Sequence, residues 1–210
     1  MNPQMKKERT FWHEVGHFVA QELNKKYFTG CGNLEIRISK RIVQNEADFE
    51  GEAKKNLPED YVERNAIKDY PAPVIASLVY GCIFQSAFLN QNLDACLNHR
   101  SMGVVGYHDF QAINKHKTFF FLTPDENKKL DQCIQDHFLV VKETLEQSKF
   151  FEIAIGDIID SDSDEIIIPG DILRGLFSDF IAHHEIKYLP FVEEIKKIFV
   201  NHNGYKPKIR

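Results

Sequence analysis

A chain of 210 residues with a formal net charge of −5 is long enough for one domain with its own hydrophobic core. The mildly acidic balance gives no support for a nucleic acid as a general partner. Apolar residues make up 43% of the chain and charged residues 27%, which is ordinary for a soluble globular protein.

The cysteines and the N-terminus favour a reducing, cytoplasmic setting. None of the four cysteines forms a CxxC pair, and their spacing does not match a structural zinc site. They are Cys31, Cys82, Cys96 and Cys133. The first ten residues are too short and polar for a signal peptide. The apolar run 71–90 contains Pro, Gln, Ser and Asn, so we expect a buried core helix rather than a membrane span.

The first predicted element is a helix over residues 4–25, ended by Gly30 and Gly32. Its apolar residues recur close to a 3.6-residue period: Val15, Phe18, Val19 and Leu23. A half-buried strand is then predicted over 33–43, with Leu34, Ile36 and Ile38 on its inner face. Residues 47–55 favour a second short strand, paired with the first through a turn near Asn45.

Helices dominate the rest of the prediction. Residues 58–70 favour a helix with Pro58 at its start. A long apolar helix follows Pro71 and Pro73 and runs to about residue 90, and the polar stretch 90–106 is predicted to be a loop.

A further helix is expected to begin at or near Asp109. Thr123, Pro124 and Glu126 then form the pattern of a capped helix start. One more helix is predicted over 150–159. The expected fold is therefore mainly α with a small β-sheet, in a single domain: residues 1–122 carry the sheet, and 123–210 form a helical C-terminal part.

Two clusters of polar and charged residues are expected to be exposed surface without a bound ligand. In the acidic turn 160–165, Asp160, Asp162 and Asp164 have the alternate spacing of a calcium loop, but the sixth position is Glu165 rather than Gly. The run His-His-Glu at 183–185 lacks a partner at ligand spacing, and we expect it to face solvent. The chain has no GxxxxGK[ST] or GxGxxG motif, which argues against a nucleotide site.

The motif that carries chemistry is HEVGH, residues 13–17. Side chains four apart on a helix lie one above the other, so His13 and His17 can aim one nitrogen each at a common metal ion. Glu14 lies about 100° further round the helix and can reach a metal-bound water. This is the HExxH arrangement of zinc hydrolases, with the glutamate as general base.

The surroundings of the motif favour a metal over two structural histidines, which is the alternative. The residues between and beside the histidines are all uncharged: Trp12, Val15, Gly16, Phe18 and Val19. Gly16 is costly inside a helix, by roughly 1 kcal/mol relative to Ala, unless another backbone or a substrate must come close. No third ligand follows at HExxHxxGxxH spacing, so it must come from a distant part of the chain.

Four segments, in order, resemble the proteolytic domain of FtsH-type ATP-dependent zinc metalloproteases. HEVGH resembles that family's HEAGH, and NLEIRISKR with FEGEA resembles its strand and return strand. VIASLVYGCIFQSAF resembles the helix written around GGRAAE, and GVVGYHDFQAI resembles TGASNDLQRAT. The helices from residue 126 onward resemble its C-terminal helical hairpin.

The resemblance implies a zincin-like fold and supplies the third ligand. The family's ligand aspartate matches Asp109, with Gln111 two residues on. A plain helix cap is the structural alternative for Asp109, and Asp94 is a weaker ligand candidate. The chain departs from the family at Ile83 and Gln85, where the family has Arg and Glu.

We therefore expect a stand-alone zinc metallopeptidase that cleaves peptides or unfolded protein segments. His13, His17 and Asp109 would hold the zinc ion, and Glu14 would be the general base. The family's membrane helices and ATPase module have no counterpart in the sequence. A zinc-binding, non-proteolytic interaction module of the same fold is the alternative. The substrate-binding residues, a partner ATPase and a homo-oligomer are left open by the sequence.

Overall fold

The computed structural model describes residues 1–27, 32–43, 45–56, 71–97, 106–153, 155–159 and 163–200. This part of the chain is mainly helical with one three-stranded antiparallel sheet, which confirms the predicted mixture of α and β structure. The helix predicted over 58–70 and the first half of the acidic turn, residues 160–162, lie outside the described residues, as does Gly30.

The helices and strands follow one another in a simple order. The helices are α1 (Pro3–Leu23), α2 (Pro71–Phe88), α3 (Asp94–Leu97), α4 (Tyr107–Phe119), α5 (Pro124–Gln147), α6 (Gly156–Ile159) and α7 (Gly170–Val200). The strands are β1 (Gly32–Val43), β2 (Glu46–Asn56) and β3 (Glu165–Pro169), and short 3₁₀ turns cover Asn24–Lys26 and Phe150–Glu152.

Helix α1 forms as the sequence predicts, and local chemistry explains where it begins. The side chain of Asn2 caps it by accepting a hydrogen bond of 2.7 Å from the backbone N–H of Met5, and Pro3 occupies the first turn. Its middle is buried on every side, including Phe11, Trp12 and Phe18. Helix α1 therefore lies in the core, between the sheet and α2.

Strand β1 is the centre of the sheet, with β2 on one side and β3 on the other. The β1–β2 hairpin is confirmed, and Asn45 takes the positive φ of 67° that its turn needs. Ile36 and Ile38 are buried as expected, but Leu34 is 48% exposed. The prediction for Leu34 is wrong because the register shifts between Asn33 and Glu35, which moves its side chain to the other face.

The sequence analysis did not identify strand β3. It pairs antiparallel with β1, from Glu35 opposite Pro169 to Ser39 opposite Glu165, and it buries Ile166 and Ile168. The sheet is therefore built partly from the last third of the chain and is not confined to the N-terminal third.

Helix α2 is the apolar core helix that the sequence predicts. It is the one described helix long and apolar enough to cross a membrane, and 83% of it is buried inside the fold. Pro71 and Pro73 lie in its first turn rather than before it. That is compatible with a helix, because N–H groups in the first turn have no partner within the helix.

The remaining helices correct two predictions. The stretch expected to be a loop contains the one-turn helix α3, and the helix expected over 150–159 is two short pieces, Phe150–Glu152 and α6. The predicted capping box of α5 is confirmed: Thr123 and Glu126 exchange hydrogen bonds.

Helices α5 and α7 are the longest in the described chain and pack antiparallel. The ring of His137 on α5 stacks on Phe191 of α7, and further along, Lys187 donates to the Thr144 hydroxyl at 2.6 Å. This pair covers the side of α2 that faces away from α1.

A candidate metal centre at the first helix

Three side chains from α1 and α4 converge on one point. His13 Nε2 and His17 Nε2 lie 3.1 Å apart. Oδ2 of Asp109 lies 2.9 Å from His13 Nε2 and 3.3 Å from His17 Nε2. The structure therefore brings together the three residues proposed as metal ligands, although Asp109 is far from the histidines in the sequence.

The position of Asp109 depends on how α4 begins. Gly106 is the N-cap residue and its cap has no side-chain hydrogen bond, so Asp109 lies in the first turn without capping it. Its carboxylate is 9% exposed and faces the two rings. Burial opposes ionisation, but the neighbouring His17 and His13 rings hold the pKa of Asp109 well below its ordinary value. Asp109 is therefore ready to act as an anionic ligand.

The orientation of His17 is fixed from behind. Its Nδ1 lies 2.8 Å from the backbone carbonyl oxygen of Ser77 on α2, so Nδ1–H donates and Nε2 keeps its lone pair. Gly81 on the same helix makes room for both rings. A Cβ there would lie 2.5 Å from His17 Nε2 and 2.9 Å from His13 Nε2. Helix α2 thus orients one ligand and leaves space for both.

Gly16 has the role that its helix position suggested. A Cβ at residue 16 would lie 2.2 Å from the backbone oxygen of Tyr80 and 3.0 Å from the Cα of Gly81. The close approach of the α2 backbone is therefore the reason for a glycine inside α1. This approach sets the distance between α1 and α2.

Glu14 lies beside the three converging atoms. It is 4% exposed, its carboxylate accepts a hydrogen bond from the Ala53 N–H of β2, and burial raises its pKa. A ligand atom from each of His13, Glu14 and His17 lies within 4.8 Å of the other two. A Cβ on Gly51 would lie 2.4 Å from the Glu14 side chain, so β2 needs a glycine at this point.

A cleft of about 510 Å³ opens onto these residues. Its floor is α1, and its walls are β2, the first half of α2 and the start of α4, with contributions from the outer face of the sheet. Three imidazole rings line it, those of His13, His17 and His108. The lining also includes charged groups of both signs: Glu14, Arg37, Arg41, Glu50, Glu52 and Asp109. The converging ligands therefore face a space that a peptide could enter.

The other sequence candidates lie elsewhere. Asp94 accepts a hydrogen bond of 2.8 Å from Gln135 on α5 and does not join the two rings. Asp164 pairs with Lys40 at 2.9 Å, and its side chain is 79% exposed. The expectation that residues 183–185 face solvent is wrong for His184, which is 1% exposed.

Sequence reasoning missed the supporting residues. Ser77, Gly51 and Gly81 carry no motif, and their roles follow from which backbones come close. Cys82 and Cys96 were noted as scattered thiols, yet both are buried and lie against His13. Burial opposes ionisation of the Cys96 thiol, but hydrogen bonding with Cys82 and His13 outweighs it and lowers its pKa to about 6.

Comparison with known proteins adds no relative: no family model, no curated protein and no solved structure matches the chain. The arguments for function therefore come from the sequence motif and the geometry of the site.

Proposed function

We propose that the protein is a zinc-dependent metallopeptidase in which His13, His17 and Asp109 hold the ion and Glu14 is the general base. The observation that carries the proposal is the convergence of two imidazole nitrogens and one carboxylate oxygen within 2.9–3.3 Å of one another. Three protein ligands of these types, with an open side toward a cleft, are what a catalytic zinc site requires.

The donor set fits a cation better than an ion pair. One protonated histidine would satisfy Asp109, but His17 Nε2 also faces both His13 Nε2 and Oδ2 of Asp109. Oδ2 of Asp109 is buried and accepts no hydrogen bond of standard geometry within the described part of the chain. A divalent ion would bind all three lone pairs at once, and an ion pair gives no reason for a buried Glu14 next to them.

The chain's own groups account for the proton transfers. Zinc, when bound, polarises the scissile carbonyl and lowers the pKa of its water toward about 7. Glu14 would take a proton from the attacking water and pass it to the leaving amine. Burial raises the pKa of Glu14, which helps the carboxyl hold that proton between the two steps.

Strand β2 offers a wall along which an extended peptide could lie. Strand β1 is hydrogen-bonded to β2 and, over Glu35–Ser39, to β3, so this part of β1 offers no edge. Carbonyl groups at one end of β2 are already used: Ala47 accepts from Lys6 at 3.0 Å, and Phe49 from Thr10 at 3.3 Å. The region around Gly51 and Ala53 lies next to Glu14, and there a peptide would pass the general base.

The order of elements supports the proposed FtsH-type likeness. The HExxH helix is followed by a β-hairpin, an apolar helix and then a helix with the ligand aspartate, and a long antiparallel helix pair closes the chain. A cytoplasmic location and peptide or unfolded-protein substrates belong to the same proposal.

The decisive experiment replaces Glu14 with Gln. Glu14→Gln keeps the size of the side chain and removes the base, so zinc content should stay at the wild-type level while cleavage of unfolded casein falls at least about 100-fold. Glu8→Gln on the same helix is the matched control and should retain activity. Zinc content and chelator-sensitive cleavage are measured for all three proteins. Full activity in Glu14→Gln would contradict the proposed mechanism. Zinc without cleavage in the wild type would favour the non-proteolytic module.

A further inference from the structure

Behind His13, on the side of α2 and α3, lies a second group of metal-binding atoms. Cys82 is fully buried in α2, and Cys96 in α3 is 1% exposed. Their sulfur atoms and a ring nitrogen of His13 all lie within 4.8 Å of one another. A Cβ on Gly106 would lie 2.5 Å from each sulfur, so the absence of a side chain at residue 106 gives the two thiols their space.

His13 has one ring nitrogen left for these thiols. Its Nε2 faces His17 and Asp109. Its Nδ1 is buried and makes no hydrogen bond of standard geometry within the described part of the chain, although the ring lies against the Cys96 thiol. A thiol is a weak hydrogen-bond partner, so a metal ion on the sulfur side would satisfy this buried nitrogen better.

We propose that Cys82, Cys96 and His13 form a second metal site, for a thiophilic divalent ion such as Zn²⁺, and that this site shares His13 with the centre described above. On binding, each thiol S–H bond breaks and a metal–sulfur bond forms, and Nδ1 of His13 binds the ion. Two protons leave to solvent when the first centre is empty. Three leave when it is occupied, because the N–H bond of His13 then breaks as well and the ring becomes an imidazolate. The two thiolate charges neutralise the ion, so neither is buried without compensation. Ligand atoms around a tetrahedral zinc lie about 3.8 Å apart, so the group needs only a small contraction.

Because the two proposed sites share His13, metal binding at one should affect metal binding at the other. One ion on each ring nitrogen makes the two sites depend on one another, because each ion withdraws electron density from the same imidazole. Excess Zn²⁺ should therefore weaken the first centre. The proposal concerns binding and does not require that the protein is a peptidase.

The test uses chains that differ only in which thiols remain. Cys31→Ser/Cys133→Ser keeps the buried pair, and Cys82→Ser/Cys96→Ser keeps the other two cysteines. Reduced, metal-free protein is titrated with Co²⁺, and the sulfur-to-cobalt charge-transfer absorption is recorded. We expect the absorption in the wild type and in the first variant, and its loss in the second. Metal content should fall from two ions per chain to one in the second variant. Absence of the absorption in the first variant would overturn the proposal.

Two further measurements separate failure of the thiol site from failure of the proposed peptidase and from misfolding of a variant. In His17→Ala/Asp109→Asn the absorption should persist although the first centre is lost, so failure of the proposed peptidase and failure of the thiol site are told apart. In Cys31→Ser/Cys133→Ser, which leaves the cluster intact, Cd²⁺ should slow alkylation of the thiols at least tenfold. Equal alkylation rates with and without Cd²⁺ would contradict a metal site even if Cys82→Ser/Cys96→Ser failed to fold.

Discussion

Two histidine pairs contact α2, and they differ in what joins the two rings. His13 and His17 face each other directly and share the carboxylate of Asp109. His137 and His184 are joined through the hydroxyl of Tyr80, which lies 2.9 Å from one Nε2 and 2.8 Å from the other. One of those rings donates to the hydroxyl and the other accepts from it.

The pKa of His13 is shifted in the opposite direction from the pKa values of His137 and His184. Burial lowers the pKa of His137 to about 3 and that of His184 to about 4, so both rings stay neutral, each with its Nε2 paired to the hydroxyl. Burial also opposes the charge of His13, but Asp109 and Cys96 outweigh it and raise its pKa. The first pair meets a carboxylate at a cleft, whereas the second pair meets a tyrosine among aromatic rings.

The largest effect is expected from removing the carboxylate that distinguishes the first pair. Asp109→Asn keeps the shape but removes the anionic ligand, so we expect zinc affinity to fall about 100-fold or more. The affinity is measured by competition with a chelating dye. Asp94→Asn, which changes a carboxylate outside the site, should leave it unchanged. Equal affinities in the two variants would show that Asp109 is no ligand.

The second prediction concerns the contact that brings α2 against the first pair. In Gly16→Ala the new methyl group would meet the Tyr80 backbone oxygen, so we expect a loss of about 3 kcal/mol in the free energy of unfolding. Gly175→Ala in α7 is the control, because no atom lies within 4 Å of its Cβ position, and it should gain about 0.5–1 kcal/mol. Urea denaturation measures both. A stable Gly16→Ala protein would contradict the close approach.

The third prediction separates the two pairs. Tyr80→Phe removes the hydroxyl and leaves His137 and His184 without their shared partner, so the free energy of unfolding should fall by about 2 kcal/mol. Zinc affinity should change little, because the hydroxyl pairs with His137 and His184 and not with the first pair. A large loss of zinc with unchanged stability would reverse the roles assigned to the two pairs.

The last prediction is a dependence of the free energy of unfolding on pH. The pKa values of His137 and His184 are lowered by folding, so the unfolded chain binds more protons than the folded chain between pH about 6.5 and 4. Their contribution to stability is complete above pH 6.5 and is lost as the pH falls, by up to about 1.4 kcal/mol per pH unit for each ring. Unfolding curves of metal-free wild type and His184→Gln measure this, and the variant should show the shallower slope.

Local patterns in the sequence predict much of the fold, because their causes are local. Helix α1 follows from a 3.6-residue period, and the start of α5 follows from Thr123 and Glu126 three residues apart. The pairing of His13 with His17 needs only helix geometry. The position of Asp109 could be proposed from the family resemblance alone, since no rule of spacing links it to α1.

The errors arise where a neighbour decides the outcome. A five-residue run such as β3 is too short for periodicity to separate a strand from a helix start, and its pairing with β1 settles the matter. His184 lies between exposed His183 and Ile186, so its burial depends on the tyrosine that meets that face. Leu34 turns outward at a register shift that alternation does not reveal.

The pairing of β3 with β1 also determines when the complete sheet can form during synthesis. During synthesis, residues 165–169 emerge long after the strand that they complete, so the nascent chain exposes the edge of β1 until its final third has left the ribosome. An unfinished or truncated product that stops before β3 would lack one side of the sheet against which α1 packs. A fragment that carries the whole HEVGH motif but stops before residue 165 would therefore lack the strand that pairs with Glu35–Ser39.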